Sequence, residues 1–498
     1  MRQACYGTMA GVETEDTIVA IATPAGRGGL GVVRLSGAEA VSITQQVLRR
    51  PGGPSGAVAV RGDQREAERK GWTQSPWRIH MAELVNEQGA LLDRVLVSYF
   101  AKPRSYTAED VVEISGHGSP VLLRFLVERC LAAGARLAQP GEFTMRAFLN
   151  GRMDLSQAEA VRDLIDAQTL YQARVAAQQM EGSVSHWLAQ PKQQLVDLIA
   201  RLEAGIDFAE DDIGFPSDSD IAERLAPLEQ CLSRIADSFQ MGRIVYQGLT
   251  LAIVGRPNVG KSSLFNCLLE QDRAIVTATP GTTRDLVSET VELEGVPLRF
   301  VDTAGIREAF DEAEAIGVQK SLEAAADSDL ALLVLDGSAG ITEQDRELLA
   351  RLRLLSQVLL VVNKCDLPPQ ISEEDLQGFC TAAREGEPAQ SASPPMRFVS
   401  ARERTGIEEL RRAILQAALP ALAGGREAQF LTNIRHQRLV QDALGALAAA
   451  RRALAEHLPH EMLLLDLYRA LRPLNAVTGE VTVEDILTQI FSTFCIGK

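Results

Sequence analysis

Residues 255–262 read GRPNVGKS, which sets Gly255, Gly260, Lys261 and Ser262 at the spacing G-x-x-x-x-G-K-[ST]. Glycines at those positions let backbone N–H groups close around phosphate oxygens, and the start of a following helix adds partial positive charge. In such a loop Lys261 reaches the β- and γ-phosphates and Ser262 ligates Mg²⁺. Further along come TTRD (282–285), DTAG (302–305), NKCD (363–366) and SAR (400–402), in the order and at the strand ends that a guanine-nucleotide site requires. Asp366 can accept from N1–H and the exocyclic amine of guanine, a pair of donors that adenine lacks. Asn363 and Lys364 brace the base and the phosphate loop. A buried polar group left unpaired costs about 1–3 kcal/mol, so the wrong base is rejected by its missing donors. Asp302 closes the apolar strand PLRFVD, and Gly305 can give its N–H to the γ-phosphate, which lets such a site sense hydrolysis. The predicted GTP contacts are therefore Asn258, Val259, Gly260, Lys261, Ser262 and Ser263, then Asp302, Thr303, Ala304 and Gly305. Asn363, Lys364 and Asp366 follow on the base side, with Ser400, Ala401 and Arg402.

Lys261 counts as catalytic because it meets charge on the transferred phosphoryl group. The residue after DTAG is Ile306, where many small GTPases place a glutamine that orients the attacking water. An aliphatic side chain cannot do this. The stretch IREAFDEAEAIG offers Glu308, Asp311, Glu312 and Glu314 instead, and by composition it serves equally as a solvated helix face. No arginine stands where one would complete the charge. Asn258 either binds a monovalent cation beside the phosphates or shapes the loop; the residues alone leave both readings open.

These residues need elements to hold them. LTLAIV (249–254) reads as a buried strand and SSLFNCLL (262–269) as a helix. Residues 16 to about 150 mix short strands (TIVAIAT, GLGVVRLSG, DRVLVSYF, DVVEISG) with a helix at 119–134, an α+β pattern. From about 154 to 246, and again at 427–472 and 483–494, apolar residues recur at helical spacing. The economical organisation is an α/β multidomain chain. It has an α+β N-terminal domain (1–150) and a discontinuous α-helical domain (151–247 and 421–498), with a Ras-like P-loop GTPase domain (248–420) inserted in it. The stretch 51–71 reads as a surface loop, and 369–397 as a surface excursion without chemistry.

The gross composition agrees. A chain of 498 residues is too long for one core. Hydrophobic content of 46% and charged content of 23% are ordinary for globular protein, and no apolar run reaches the roughly 18–20 residues that span a bilayer. The first fifteen residues lack a signal peptide's apolar core and read as a loose extension. Seven cysteines, odd in number and without C-x-x-C spacing, argue against zinc or a disulfide framework and fit a reducing cytoplasm. A net charge of −16 excludes broad non-specific nucleic-acid binding but not a local RNA contact.

Four further segments lie outside any ordinary GTPase: TIVAIATPAGRGGLGVVRLSG (17–37), SYTAEDVVEISGHG (105–118), PGEFTMRAFLNGRMDLSQAEA (140–160) and the tail FSTFCIGK (491–498). With them the chain resembles, over nearly its whole length, the MnmE (TrmE) family of tRNA-modification GTPases. The resemblance implies a folate-binding N-terminal domain that dimerises, making the chain a homodimer. It implies a GTPase that depends on potassium and is activated when two GTPase domains meet. The implied partners are tRNA and MnmG, an FAD enzyme. With MnmG the family installs an aminomethyl or carboxymethylaminomethyl group at carbon 5 of the wobble uridine. The carbon comes from a 5,10-methylene- or 5-formyl-tetrahydrofolate. By position, Asn258, Thr277, Thr279 and Thr282 match potassium ligands, Ser262 and Thr283 match Mg²⁺ ligands, and Glu314 matches the water-positioning glutamate. Thr277, Thr282 and Thr283 thereby join the GTP site. Arg34, Glu113, Arg152 and Lys498 match folate contacts: cations suit a glutamate tail, and a carboxylate suits the donors of a pterin. Pro280 stiffens a stretch of the potassium loop, and Arg152 stands where a lysine is common.

Cys495 has two readings, a nucleophile near a one-carbon donor or a structural thiol beside the folate pocket. His117, flanked by glycines, is either an acid–base or metal-binding group or part of a tight turn. A regulatory or ribosome-assembly GTPase is the alternative that the GTPase motifs alone allow; the N-terminal segments and the FCIGK tail speak against it. Asp366→Asn should shift preference from guanine toward xanthine nucleotides. Competition binding checks this, and unchanged guanine selectivity refutes the role given to Asp366.

Overall fold

The computed structural model describes residues 16–51, 76–207, 217–270, 290–301, 322–382, 394–418, 430–480, 487, 490–495 and 497. The chain divides into two compact units. The first is Met1–Arg162 with Gln179–Ser185 and Asn475–Lys498, and the second is Asp163–Gln178 with His186–Leu474.

The first unit is built on a seven-stranded sheet: β1 (Ile18–Ile21), β2 (Gly28–Ser36), β3 (Leu48–Arg49), β4 (Ile79–Val85), β5 (Leu91–Phe100), β6 (Val111–Gly118) and β7 (Arg136–Leu137). The order is β3-β4-β5-β6-β2-β1-β7, antiparallel except where β7 joins β1. Alternation decides the faces: Val95 and Val97 point into the core while Arg94 and Leu96 point out. Val33, Leu35, Val112 and Ile114 complete that buried face. Helices Ala40–Val47 and Pro120–Ala132 cover it with Ile43, Val47, Leu123, Leu126, Val127 and Cys130. Pro120 starts its helix after Ser119, where the missing N–H costs nothing.

Helix Glu142–Leu149 carries Phe143 onto Ile18 and Ala20 of β1. Its Met145 and Phe148 join Leu155, Ala158 and Val161 with the tail residues Phe491 and Phe494. Gly141, in the left-handed region (φ +68°), lets the tail come close: a Cβ there would lie 2.6 Å from the Phe491 carbonyl oxygen. Under this helix sits a buried charge network. Arg146, fully buried, donates to Asp16, Glu142 and Glu109, and Arg136 pairs with Asp16 and Glu142.

The second unit contains helices and a six-stranded sheet. Helix Asp218–Asp237 is capped by Ser217 and Asp220 in a reciprocal box, and it buries Ile221, Leu225, Leu228 and Leu232 at helical spacing. It packs along helix Ile434–Ala455, with Arg451 reaching Glu229. Helix Phe239–Gln247 follows; a Cβ on Gly242 would overlap the Leu431 carbonyl at 1.9 Å, so only glycine permits that approach. The helical spacing expected over 427–472 corresponds to two helices: Ile434–Ala455 stops, His457 turns left-handed (φ 53°), and His460–Thr478 starts after Pro459. Of the expected helix at 483–494, residues 487 and 490–492 are helical, and 483–486, 488 and 489 lie outside the described residues.

The sheet comprises β8 (Leu249–Val254), β9 (Thr290–Leu293), β10 (Val296–Phe300), β11 (Leu330–Asp336), β12 (Gln357–Asn363) and β13 (Met396–Phe398) in the order β13-β12-β11-β8-β10-β9. All pairs are parallel except β9 with β10. β8, β11 and β12 are buried on both faces, as parallel strands between helices must be. The strand order reverses between β8 and β11, so a crevice opens at their C-terminal ends, where such sheets bind ligands. One reading needs correction. The segment 369–397 is not wholly a surface excursion, because helix Glu373–Ala382 buries Leu376, Phe379 and Cys380 in the core. Those residues sit at i, i+3 and i+4, a short apolar stripe hidden by acidic neighbours.

Burial alone would raise the carboxyls of Asp16 and Glu142, but the hydrogen bonds and charges of Arg136 and Arg146 outweigh it and hold both below the ordinary range. A depressed carboxylate stabilises the fold above its ordinary value and loses that stability as pH falls through the folded value. The first unit should therefore weaken below about pH 4. Arg146→Met should cost about 3–5 kcal/mol near neutral pH, by leaving buried carboxylates unpaired, and that deficit should shrink as pH falls and the carboxylates protonate. Circular dichroism melts across pH check both; a deficit that does not change with pH refutes the network's role.

Candidate nucleotide site and N-terminal site

β8 runs buried to Val254, the loop 255–260 turns at its C-terminal end, and helix Lys261–Glu270 starts there. Asn258 (φ 64°) and Gly260 (φ 97°) both take the left-handed conformation that lets the loop curl. The Lys261 ammonium donates to the carbonyls of Gly255 and Arg256, each at 2.8 Å. Burial pulls its pKa below the ordinary lysine value. Ser262 and Ser263 are exposed at the helix start, as is Asn258 in the loop, while Val259 is buried beneath. Backbone donors, a cation and a hydroxyl thus meet at one helix N-terminus, a fit for a polyphosphate.

Asn363 ends β12. Its Nδ2 donates to the Val259 carbonyl at 2.9 Å, and its Oδ1 accepts from the Ala401 N–H at 3.0 Å. One buried carboxamide therefore ties the phosphate loop to the SAR turn. Lys364, left-handed at φ 65°, donates Nζ to Asp336 at 2.6 Å. The Ser400 hydroxyl donates to the exposed Asp366 carboxylate at 2.6 Å and accepts from the Glu403 N–H. That donation holds the Asp366 carboxyl below its usual value, so it stands ionised and ready to accept. Arg402 is exposed beside Glu403. The loop residues, Asn363, Lys364, Asp366, Ser400 and Ala401 are thus brought together. Thr277, Thr279, Pro280, Thr282, Thr283, Asp302, Thr303, Ala304, Gly305, Ile306, Glu308, Asp311, Glu312 and Glu314 lie outside the described residues. Among the described residues no group of three His, Cys, Asp or Glu could hold a metal ion.

In the first unit Arg34 and Glu113 face each other across β2 and β6. Arg34 grips Glu113 through Nε (2.9 Å) and Nη2 (2.8 Å), and its Nη1 donates to the Gly497 carbonyl at 3.2 Å. The guanidinium also lies 5.5 Å from the Tyr106 ring centre and 5.7 Å from that of Phe143. Gly497 itself packs so closely on β1 that a Cβ would lie 2.5 Å from the Ile21 carbonyl oxygen. The Cys495 thiol is exposed while its carbonyl accepts from Gly141 N–H at 3.4 Å. Arg152 is exposed beyond helix Glu142–Leu149, and Lys498 lies outside the described residues. His117 is exposed, but its Nδ1 and backbone N–H both meet the buried Asp93 carboxylate, at 2.7 and 2.9 Å.

Two family models match this chain. The one described as the GTP-binding protein TrmE N-terminus covers residues 17–152, and the MnmE helical domain covers 155–495. The tRNA modification GTPase MnmE of Koribacter versatilis (strain Ellin345) is 55% identical over 486 residues, 97% of this chain and 99% of the relative. The chain belongs to the MnmE (TrmE) family of tRNA-modification GTPases. The MnmE of Dechloromonas aromatica (strain RCB) is 40% identical over 97% of this chain and 99% of its own. The G domain of the T. maritima FeoB iron transporter overlaps 34% of this chain and 98% of its own at TM-score 0.23 and 24% identity, too slight a likeness to carry an argument. As an MnmE-family member the chain is a GTPase of tRNA modification.

Sequence reasoning missed Asp336, Asp345 and Arg256. Arg256 donates Nε to the buried Asp345 at 2.8 Å. Their signal was faint: Arg256 is a variable position inside the phosphate-loop motif, and the two aspartates flank a glycine-containing turn, DGSAGITEQD, outside every nucleotide motif. A Cβ on Gly260 would lie 2.2 Å from the Asn363 Nδ2. Gly260→Ala should therefore displace the carboxamide from both partners and weaken GDP binding by about tenfold or more. Gly378→Ala, which meets open space, should leave affinity intact. Equal affinities for the two variants in fluorescent-GDP titration would refute the bridge.

Proposed function

We propose that this chain uses GTP hydrolysis to drive the one-carbon modification of the wobble uridine at carbon 5, with tRNA as substrate and the FAD enzyme MnmG as partner. The observation that carries the proposal is the pairing, in one chain, of an Asn363-braced phosphate loop with an Arg34–Glu113 pair closed by the tail carbonyl of Gly497. A GTPase of ribosome assembly has no use for the second.

On the nucleotide side, Lys261 brings positive charge to the β- and γ-phosphates, and the loop N–H groups hold their oxygens. Asp366 receives the guanine donors, with Ser400 fixing its orientation. Asp302 to Gly305 sense the γ-phosphate, and Glu314 orients the attacking water. Ser262 and Thr283 would hold Mg²⁺, and Asn258, Thr277, Thr279 and Thr282 would hold K⁺; these ions supply the charge that an arginine gives elsewhere. Joining of two GTPase domains in the homodimer places that charge productively.

On the folate side, Arg34 offers a cation already flanked by two aromatic rings, which suits a planar ring bearing a carboxylate tail. Glu113 would accept from pterin donors, and Arg152 and Lys498 would meet the tail. A bound 5,10-methylene- or 5-formyl-tetrahydrofolate supplies the carbon. The exposed thiol of Cys495 lies two residues before Gly497, whose carbonyl meets Arg34, and would serve as a nucleophile or a wall of the pocket. The domain organisation proposed is 1–150, 151–247 with 421–498, and the inserted 248–420. A cytoplasmic location accords with the chain's work on tRNA; among the described residues no helix is long and apolar enough to cross a membrane.

Nucleoside mass spectrometry of tRNA from cells lacking the gene should show loss of the C5-modified wobble uridine, restored by the intact gene. A normal profile overturns the pathway and promotes the assembly-factor reading. Purified protein should hydrolyse GTP faster in potassium than in sodium; equal rates remove the cation site.

A further inference from the structure

We propose that residues 336–345, DGSAGITEQD, form a brace that sets guanine-nucleotide affinity by holding both sides of the site, with Asp336 and Asp345 as positioning residues. The inference rests on the reading that loops 255–262 and 363–366 bind GTP, and it adds residues that no nucleotide motif contains.

The two carboxylates are used alike. Asp345 Oδ2 accepts from the N–H and hydroxyl of Thr342, which caps helix Glu343–Leu355. Its Oδ1 is left over for the phosphate loop and accepts from Arg256 Nε at 2.8 Å. Asp336 Oδ1 accepts from the N–H and hydroxyl of Ser338, closing its own turn. Its Oδ2 is left over for the base side and accepts from Lys364 Nζ at 2.6 Å. Each aspartate thus spends one oxygen locally and one on a nucleotide loop.

A third contact joins the same segment to the base side. The Gly337 N–H donates to the Asn363 carbonyl at 2.8 Å, and its own carbonyl accepts from Gln370 N–H at 2.9 Å. A Cβ at Gly337 would lie 2.9 Å from that Asn363 carbonyl oxygen, so the approach needs glycine. Local capping needs none of these long-range contacts. A cap is satisfied by one carboxylate oxygen, and the second oxygens reach residues far away in sequence.

Burial decides that the pairs matter. Asp345 is 1% exposed and Arg256 21%, while Asp336 is 13% exposed and Lys364 31%. Pairs this sheltered from solvent are screened far less than surface ion pairs. They also act where the backbone resists. Lys364 is a non-glycine residue at φ 65°, a conformation that persists only when its surroundings hold it. Arg256 precedes Pro257 and Asn258, and its carbonyl receives the Lys261 ammonium. Releasing Arg256 therefore frees the loop segment on which the phosphate-binding lysine rests. Releasing Lys364 frees the base-side loop at its strained residue.

The test uses the full-length protein and GDP carrying a fluorescent label. Arg256→Gln, which leaves the Thr342–Asp345 cap in place, should weaken GDP by about tenfold and raise KM for GTP more than it lowers kcat. Arg256→Lys should recover part of the loss. Asp345→Asn should give a similar loss, and the double variant Arg256→Gln/Asp345→Asn should be no weaker than the worse single one, because one interaction can be lost only once. Asp336→Asn should weaken GDP comparably and independently of Arg256→Gln. Melting temperature is followed in parallel. Wild-type affinity in Arg256→Gln and Asp336→Asn, or losses that multiply in the Arg256–Asp345 pair, overturns the brace. Asp366→Asn separates the two levels: if it keeps guanine preference, the underlying reading of the site fails. If it loses that preference while the Arg256 and Asp336 variants bind normally, only the brace fails.

Discussion

The carboxamide of Asn363 is buried at the end of a parallel strand, where water cannot satisfy it. Both its ends are committed, one to the carbonyl of Val259 and one to the N–H of Ala401. A donor and an acceptor fixed this way are expensive to leave unmade, about 1–3 kcal/mol for each group orphaned. They convert three loops from different parts of the chain into one surface. Lys261 gains its position from the loop that Asn363 clasps, and Asp366 gains its orientation from Ser400, next to the Ala401 that Asn363 holds. Remove the clasp and the sheet still stands, but its crest no longer has a fixed shape.

The two units solve the same problem, that of placing charge away from water, in different ways. In the first, Arg146 is enclosed by carboxylates from three separate stretches, and the network replaces solvent by mutual pairing. Burial of this kind stabilises little in net terms but penalises every alternative packing that would strand a charge. In the second, Lys261 and Asp366 stand at strand ends, held in waiting by backbone carbonyls and a turn hydroxyl, while sheltered ion pairs brace the loops behind them. The first arrangement closes a structure; the second keeps groups available to an incoming anion and base.

Much of this was legible in the residues. The run LTLAIV is a strand over the predicted residues, because five apolar side chains interrupted only by Thr250 suit a strand buried on both faces. Gly255, Lys261, Asn363 and Asp366 announced themselves because their chemistry is local: a turn that needs glycine, a strand end that needs a polar cap. The pairs Arg256–Asp345, Lys364–Asp336 and Arg146–Asp16 did not, because either charge alone reads as a solvated side chain and only the fold brings its partner near. Helix Glu373–Ala382 escaped for a related reason. Its buried stripe is three residues wide and is set in an acidic, Pro/Ser-flanked stretch whose composition says surface. The break at Glu456–Pro459 is hard to place from sequence, because alanine- and leucine-rich text on both sides keeps the helical period running through it.

The close seat of Gly497 on β1, with Phe491 and Phe494 packed beside helix Glu142–Leu149, has a consequence in time. A polypeptide emerges from the ribosome in order, and the residues that complete the first unit emerge after all of the second. The nascent N-terminal sheet must therefore wait, with Met145, Phe148 and Leu155 uncovered, until the last segment is released. During synthesis that apolar strip is a natural foothold for a chaperone. Arrival of the tail is the event that closes the strip and, through the Gly497 carbonyl, adds the final contact to Arg34.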